Sequence, residues 1–290
     1  MSEFLQFLFS GLTVGAIYAV VALGFTLIYN ASDVINFAQG EFVMLGGMVT
    51  FFAVAAGIPL PAAALLAIVV AVAVGMALYA FAIRPARGAS AVTLIIITIG
   101  ASILLRGVAA VVFDKNYHSY PAFAGNDPIV IGGATVLPQS ILVLAGVGCI
   151  VVLLWLLMKR TLVGKAMIAT AANPLAARLS GINTSALVGL SFAVSAAIGA
   201  VGGILVTPIT LTNYDVGTLL ALKGFAAAML GGMGHPAGAV AGGLVVGLLE
   251  SFGAGYISSA YKDAIAFIVI LLVLFAMPQG LFGRAAVERV

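Results

Sequence analysis

Between Glu41 and Arg84 no residue carries a charge, and comparable uncharged stretches recur to the end of the chain. A helix needs about 20 mainly apolar residues to cross the hydrocarbon core of a bilayer, so each stretch reads as membrane-spanning material. Composition agrees. Only 7% of the 290 residues are charged and 63% are hydrophobic, with a mean hydropathy of +1.27. A soluble domain carries roughly 25% charged residues because its surface faces water. This surface has to meet lipid instead, which predicts an all-α polytopic membrane protein. The net charge of +3 is too small to point to nucleic acid. The single cysteine, Cys149, lies in an apolar run, so there is neither a disulfide framework nor a metal-ligand pattern. The first residues, MSEFLQFLFSG, carry no Lys or Arg ahead of their apolar stretch, and they are read as a retained first span rather than a cleaved signal.

Uncharged runs place candidate spans at about 5–29, 42–57, 61–83, 90–113, 139–158, 185–211, 217–233, 237–256 and 264–282. The run at 217–233 is short and contains Lys223, the mark of a broken or re-entrant helix, so the expectation is eight to nine spans. A polar kink, Asn30–Glu41, separates the first two. Arg84 and Arg87, then Lys159, Arg160, Lys165 and Arg178, then Arg284 and Arg289, fall on one side if spans alternate, and basic residues accumulate in cytoplasmic loops. That makes the 159–184 loop and the C-terminus cytoplasmic. The side of the N-terminus depends on whether one run is re-entrant.

Two distant segments resemble each other: NFAQGEFVMLGG (Asn36–Gly47) and NYDVGTLLALKG (Asn213–Gly224). The Asn, the first Gly, the Leu and the last Gly coincide, and Phe is matched by Tyr. An odd number of spans separates the copies, so they should face opposite ways. Inverted repeats of this kind place a transport pathway at their interface. The expected organisation is one permease domain over 1–290, with repeat one at about 5–113, repeat two at about 185–282, and the loop 159–184 between them. Gly- and Ala-rich text such as AGAVAGGLVVG (Ala237–Gly247) reads as helix-packing faces.

No catalytic constellation appears. His118 and His235 have no ligand spacing, and no Gly-rich loop ends in Lys-Ser or Lys-Thr, so any ATP must bind to another chain. Glu41, Arg106, Lys223 and Glu250 are ionisable residues in or near spans, where charge is expensive and therefore a functional candidate. For Glu41 a helix-start carboxylate explains the residue equally well. For Glu250, deep in its run, a pathway or a buried ion pair is the expectation. Asn36, Gln39, Asn213 and Asp215 complete the translocation-path candidates, as partners for freed backbone groups or for a polar solute. In the long loop, Gly164–Ala172 looks helical. Asn173-Pro174 then supplies an N-cap and a first-turn proline, and Gly181 ends the next short helix. Such a helix lying across the membrane face suits a groove on a cytoplasmic partner, with a lipid-facing helix as the alternative.

GLTVGAIYAVVALGFTLIY (Gly11–Tyr29), INFAQGEFVMLGG (Ile35–Gly47) and GKAMIATAANPLAARLSGIN (Gly164–Asn183) together closely resemble the membrane permease of bacterial branched-chain amino-acid ABC importers, the LivH type. The resemblance extends through the Arg84–Arg87 turn to MPQGLFG (Met277–Gly283). It implies a multi-pass subunit of the bacterial inner membrane that imports leucine, isoleucine or valine by alternating access. It also implies a second related permease, two cytoplasmic P-loop ATPases that bind ATP and Mg, and a periplasmic substrate-binding protein. Gly164, Asn173, Pro174, Ala177, Arg178 and Gly181 would then form the segment that couples to an ATPase. Gln39 departs from the pattern, since many relatives carry His there, which weakens any role for a protonatable group. Related permeases handle urea or short amides, and an ion-coupled secondary transporter with Glu41 and Glu250 as coupling carboxylates is a rival reading.

Overall fold

The computed structural model of the chain describes residues 2–125 and 127–283. Eleven α-helices account for most of them: α1 (Ser2–Ser32), α2 (Gln39–Ala55), α3 (Leu60–Leu78, continued by a π-helical turn at Tyr79–Ile83), α4 (Ala91–Val112), α5 (Pro138–Arg160), α6 (Leu162–Ala172), α7 (Pro174–Leu179), α8 (Thr184–Thr210), α9 (Val216–Gly231), α10 (Pro236–Tyr256) and α11 (Lys262–Ala276). Between α4 and α5 a small antiparallel hairpin pairs β1 (Ile129–Ile131) with β2 (Ala134–Val136), an element the uncharged-run reading does not contain.

Among the described residues, seven helices are long and apolar enough to cross a membrane. The helices α2 and α9, at 17 and 16 residues, are shorter. At 1.5 Å per residue they reach only about 26 and 24 Å, less than the roughly 30 Å hydrocarbon core. All nine runs read from the sequence are therefore helices, two of them of partial length. The last is shorter than expected. The helix α11 stops at Ala276, because Pro278 cannot continue it. The residues beyond turn back, and Leu281 and Phe282 donate their backbone N–H groups to the carbonyls of Leu230 and Gly231 at the end of α9.

Helix α1 is the axis of the molecule and is largely buried from Gly11 to Ala31. It is flanked by α2, α8, α9 and α10, while α3, α4, α5 and α11 turn bulky apolar side chains outward, as a lipid-facing ring must. Where no hydrophobic effect draws helices together in lipid, close backbone approach has to hold them, and small residues permit it. Gly243 and Gly247 of α10 press on Ala19 and Gly15 of α1, and Gly203 of α8 presses on the Val43 carbonyl of α2. The Gly/Ala text of the sequence is packing surface.

Chain direction follows from the ends of the helices. In the first turns of α1, Gln6 exchanges two hydrogen bonds with the backbone of Thr135 in the hairpin. At its other end, Asn30 donates to the Gly234 carbonyl and borders a cavity shared with Thr170, Pro174 and Arg178. The N-terminal end of α1 thus lies on the face opposite the α6–α7 loop. Helix α8 runs the other way, from Thr184 at the loop face to Thr210 beside the loop that precedes the hairpin. The Pro208 ring removes one N–H inside α8 and weakens the local backbone ladder. Tyr120 Oη donates to the freed Ile204 carbonyl (2.6 Å) and Gln139 Nε2 to that of Leu205 (2.7 Å). Burial pushes the ionisation of Tyr120 upward, which keeps its hydroxyl a donor.

Candidate functional site

The polar kink between the first two spans is not a surface turn. Helix α1 continues to Ser32, and after a short connection α2 begins at Gln39, against Gly24 of α1. Gly24 precedes the end of α1 by eight residues (24 to 32), so α2 starts roughly 12 Å inside the molecule. A non-helical backbone at that depth is tolerated only if its polar groups are satisfied by protein. Here Thr98 of α4 accepts from the Phe37 N–H and donates to the Ile35 carbonyl, while Asn36 Oδ1 accepts from the Ala38 N–H. The single hydroxyl proton of Ser195 in α8 is shared between Gln39 Oε1 (2.7 Å) and the Gly24 carbonyl (3.0 Å). Gln39 Nε2 in turn donates to the Ser195 carbonyl. Asn36 and Gln39 are thus fully buried fasteners of the re-entry rather than groups lining an open path. Asn213 plays the matching part before α9, its Oδ1 accepting from the Asp215 N–H.

The two short helices meet at their N-terminal ends. Gly40 lies on the Gly217 carbonyl, and Gly217 lies on Gly40 and the Glu41 carboxylate. A Cβ on either would overlap its neighbour. Around this crossing stands the first charged group. Ser102 Oγ donates to Glu41 Oε1 (2.7 Å), and Arg106 Nε lies 3.7 Å from the same oxygen. Arg106 Nη1 donates to Asp215 Oδ1 (2.8 Å), which also accepts from Thr218 Oγ1. Glu41 is fully buried in the first turn of α2, and Asp215 occupies the N-cap position of α9 without a side-chain bond to the helix backbone, so each carboxylate lies near the positive end of a helix dipole. Arg106 couples them across α2, α4 and α9.

The second group lies between α1, α9, α10 and α11. Lys223 Nζ donates to Glu250 Oε2 (2.9 Å), Asp263 Oδ1 (2.7 Å) and the Tyr18 hydroxyl (3.0 Å). Tyr18 Oη donates to Glu250 Oε2 (2.6 Å), and Lys262 Nζ stands 3.5 Å from Glu250 Oε1. Glu250 thus sits in a buried ion pair, one of the two expectations for it, with Lys223 as a partner that the sequence did not name. Tyr18, Ser102, Lys262 and Asp263 were not singled out beforehand. Lys262-Asp263 stands out as a charged doublet at the start of an apolar run, but nothing in the text GAIYAV marks Tyr18.

At the opposite face Thr161 caps α6 through the Gly164 N–H, and buried Gly164 packs against the Leu157 carbonyl. Asn173 Oδ1 caps α7 by accepting from the N–H groups of Leu175 and Ala176, with Pro174 at the first helical position. Ala177 is buried, Arg178 Nε donates to Thr184 Oγ1 (2.9 Å), and Gly181 takes φ 83° in the turn into α8. Leu175 and Leu179 remain exposed. The turn after α3 brings Arg87 to the same place. It donates to Tyr79 Oη and Ser185 Oγ and borders with Arg178 the clefts beside α7. Arg284 and Arg289 lie outside the described residues.

Fold and buried polar groups together define the class: an all-α, multi-pass membrane protein with two ionic clusters among its central helices. Residues 7–274 match the family described as branched-chain amino acid transport system, permease component, and the chain belongs to that family. It is 36% identical to the high-affinity branched-chain amino acid transport system permease protein LivH of Escherichia coli (strain K12), across 99% of this chain and 98% of that protein. It is 34% identical to the permease protein BraD of Pseudomonas aeruginosa, again across 99% and 98%. Among solved structures, PsaBC from Streptococcus pneumoniae in complex with Fab shares the fold, with a TM-score of 0.51 at 14% identity over 96% of this chain and 93% of that one.

Proposed function

We propose that the chain is the membrane-spanning subunit of an ATP-driven importer that carries branched-chain amino acids into the cytoplasm by alternating access. The observation that carries the ATP-driven part is the α6–α7 elbow. Its caps and proline fix a short helix outside the bundle with Leu175 and Leu179 exposed, and Arg87 and Arg178 stand beside it. Among the described residues no carboxylate forms an ion pair with either arginine, Asp33 being the one acid that also lines the cleft, so two bases against one acid leave it suited to an acidic group on a partner. Basic Lys159, Arg160 and Lys165 on the same side favour a cytoplasmic elbow and, beyond α11, a cytoplasmic C-terminus in the bacterial inner membrane. The chain itself is a transport subunit, and ATP and Mg belong to two P-loop ATPases. A second related permease and a periplasmic binding protein complete the assembly.

The contacts support two inverted repeats. Helix α1 packs on α10 as α8 packs on α3, and α2 on α8 as α9 on α1, with equivalent Gly40 and Gly217 at the centre. Rocking of one repeat against the other would expose the pathway to each side in turn. The substrate assignment draws on the names of the relatives.

The test is uptake of leucine and ATP hydrolysis by the reconstituted assembly. Pro174→Leu and Arg178→Ala should leave membrane insertion intact, yet separate hydrolysis from uptake. Normal uptake by both variants would remove the coupling role. Uptake that collapses with an ionophore while ATP is present would favour the ion-coupled reading instead.

A further inference from the structure

Glu250 holds its two carboxylate oxygens to different tasks. Oε2 accepts from both Tyr18 and Lys223 and is internally complete. Oε1 accepts no hydrogen bond among the described residues and has only Lys262 opposite it, at 3.5 Å. Both Glu250 and Lys262 line two adjoining cavities, of about 400 and 250 Å³, that also share Val14. The larger is reached beside Tyr117, on the same face as the hairpin, and its remaining wall combines apolar Ile17, Val206, Leu219 and Leu220 with polar Thr210, Asn213 and Asp215. Lys262, in the first turn of α11, is half exposed.

We propose that this cavity is a way-station for the zwitterionic head of an apolar α-amino acid, its ammonium on Glu250 Oε1 and its carboxylate on Lys262 Nζ. The opposed charges of the ligand fit head to tail between the opposed charges of the protein, so binding replaces one loose ion pair with two charge-assisted ones. The apolar wall then receives the side chain, the usual division of labour in a small-molecule site. Lys223, which also lines the cavity, holds Glu250 Oε2 and is itself held by Asp263, so both are positioning residues. An amino acid released at the hairpin face would meet this pair before the α2–α9 crossing.

The inference rests on the importer reading, and the experiment separates the two. Binding of radiolabelled L-leucine is measured on the permease–ATPase assembly in nanodiscs without the binding protein, and uptake on the complete system. Saturable binding by the wild type is expected, weakened roughly ten-fold or more in Lys262→Met through loss of a charged hydrogen bond. In that variant leucinamide, which lacks the carboxylate, should compete as well as leucine, a change a structural role for Lys262 would not produce. Glu250→Gln should weaken leucine but spare 4-methylpentanoate, which lacks the ammonium. No leucine binding by the wild-type assembly, or undiminished binding by Lys262→Met, overturns the way-station. Failure of the complete wild-type system to take up leucine overturns the importer reading itself.

Discussion

At the scale of single residues, each buried acid or base among the described residues stands beside a group of opposite charge. Lys223 uses its three protons on Glu250, Asp263 and Tyr18. Removing one member of a buried pair leaves the other charge uncompensated, which typically costs about 3–5 kcal/mol. Lys223→Met should therefore lower the thermal unfolding midpoint of the purified protein markedly, and Lys223→Met combined with Glu250→Leu should recover part of the loss. Equal destabilisation by single and double variants would refute the pairing. Lys223 and Glu250 each stood out in the sequence as a charge inside an apolar run, but their pairing did not. Positions 223 and 250 lie on different helices, and only the packing of α9 on α10 brings them together. Tyr18 gave no signal, since tyrosine in a span is unremarkable until its neighbours are known.

Elements show the same split between what text reveals and what packing decides. Uncharged runs marked the helices because bilayer thickness imposes length on them. The entry of α2 into the molecule was hidden, because Asn30–Glu41 has the polar composition of a surface turn. Its polar groups are there to satisfy backbone at depth, a purpose that composition cannot distinguish from solvation. The match between Asn36–Gly47 and Asn213–Gly224 was the better clue, since it singled out the two glycines that touch. Gly40→Ala should disrupt the crossing, and Gly100→Ala should not, because a Cβ at Gly100 meets nothing. Monodispersity and thermal stability in detergent decide, and equal behaviour of the two variants would argue against the crossing. The loop before the hairpin adds a titratable element. His118 Nε2 lies 2.8 Å from Asp114 Oδ1, its ring stacks on Phe51, and its backbone bridges to Thr212. The hydrogen bond to His118 holds the Asp114 carboxyl below its usual range. A depressed carboxylate contributes stability above its unfolded value and loses it as pH falls through the folded value. Amide protection at residues 114–120, taken relative to the intrinsic exchange rate at each pH, should therefore be high near neutral pH and fall below about pH 4, where an ordinary carboxylate takes up its proton. Asp114→Asn should show low protection throughout.

For the whole molecule, the consequence of an odd passage count is that α1 begins on the face where the hairpin lies and the α6–α7 elbow sits on the other. In a Cys149→Ser background, Tyr117→Cys should react with a membrane-impermeant maleimide added to intact cells stripped of their outer membrane. Leu179→Cys should react only after the inner membrane is opened. Labelling of both from the same side would contradict the arrangement. Five helices, α1 to α5, precede the elbow, so the relation of these two faces does not depend on whether α9, at 16 residues, crosses or re-enters.

The cluster around Lys223 also bears on membrane voltage. Lys223 and Lys262 stand with Glu250 and Asp263, two bases with two acids, so the group as a whole carries no net charge. Displacing one unbalanced charge through the full field of an energised membrane involves about 2.3 kcal/mol per 100 mV. A neutral cluster with a neutral zwitterion beside it moves through that field without electrical work. On that proposal the membrane field does no work on the Lys223 cluster, in contrast to the Glu41–Arg106–Asp215 group, where two acids face one base.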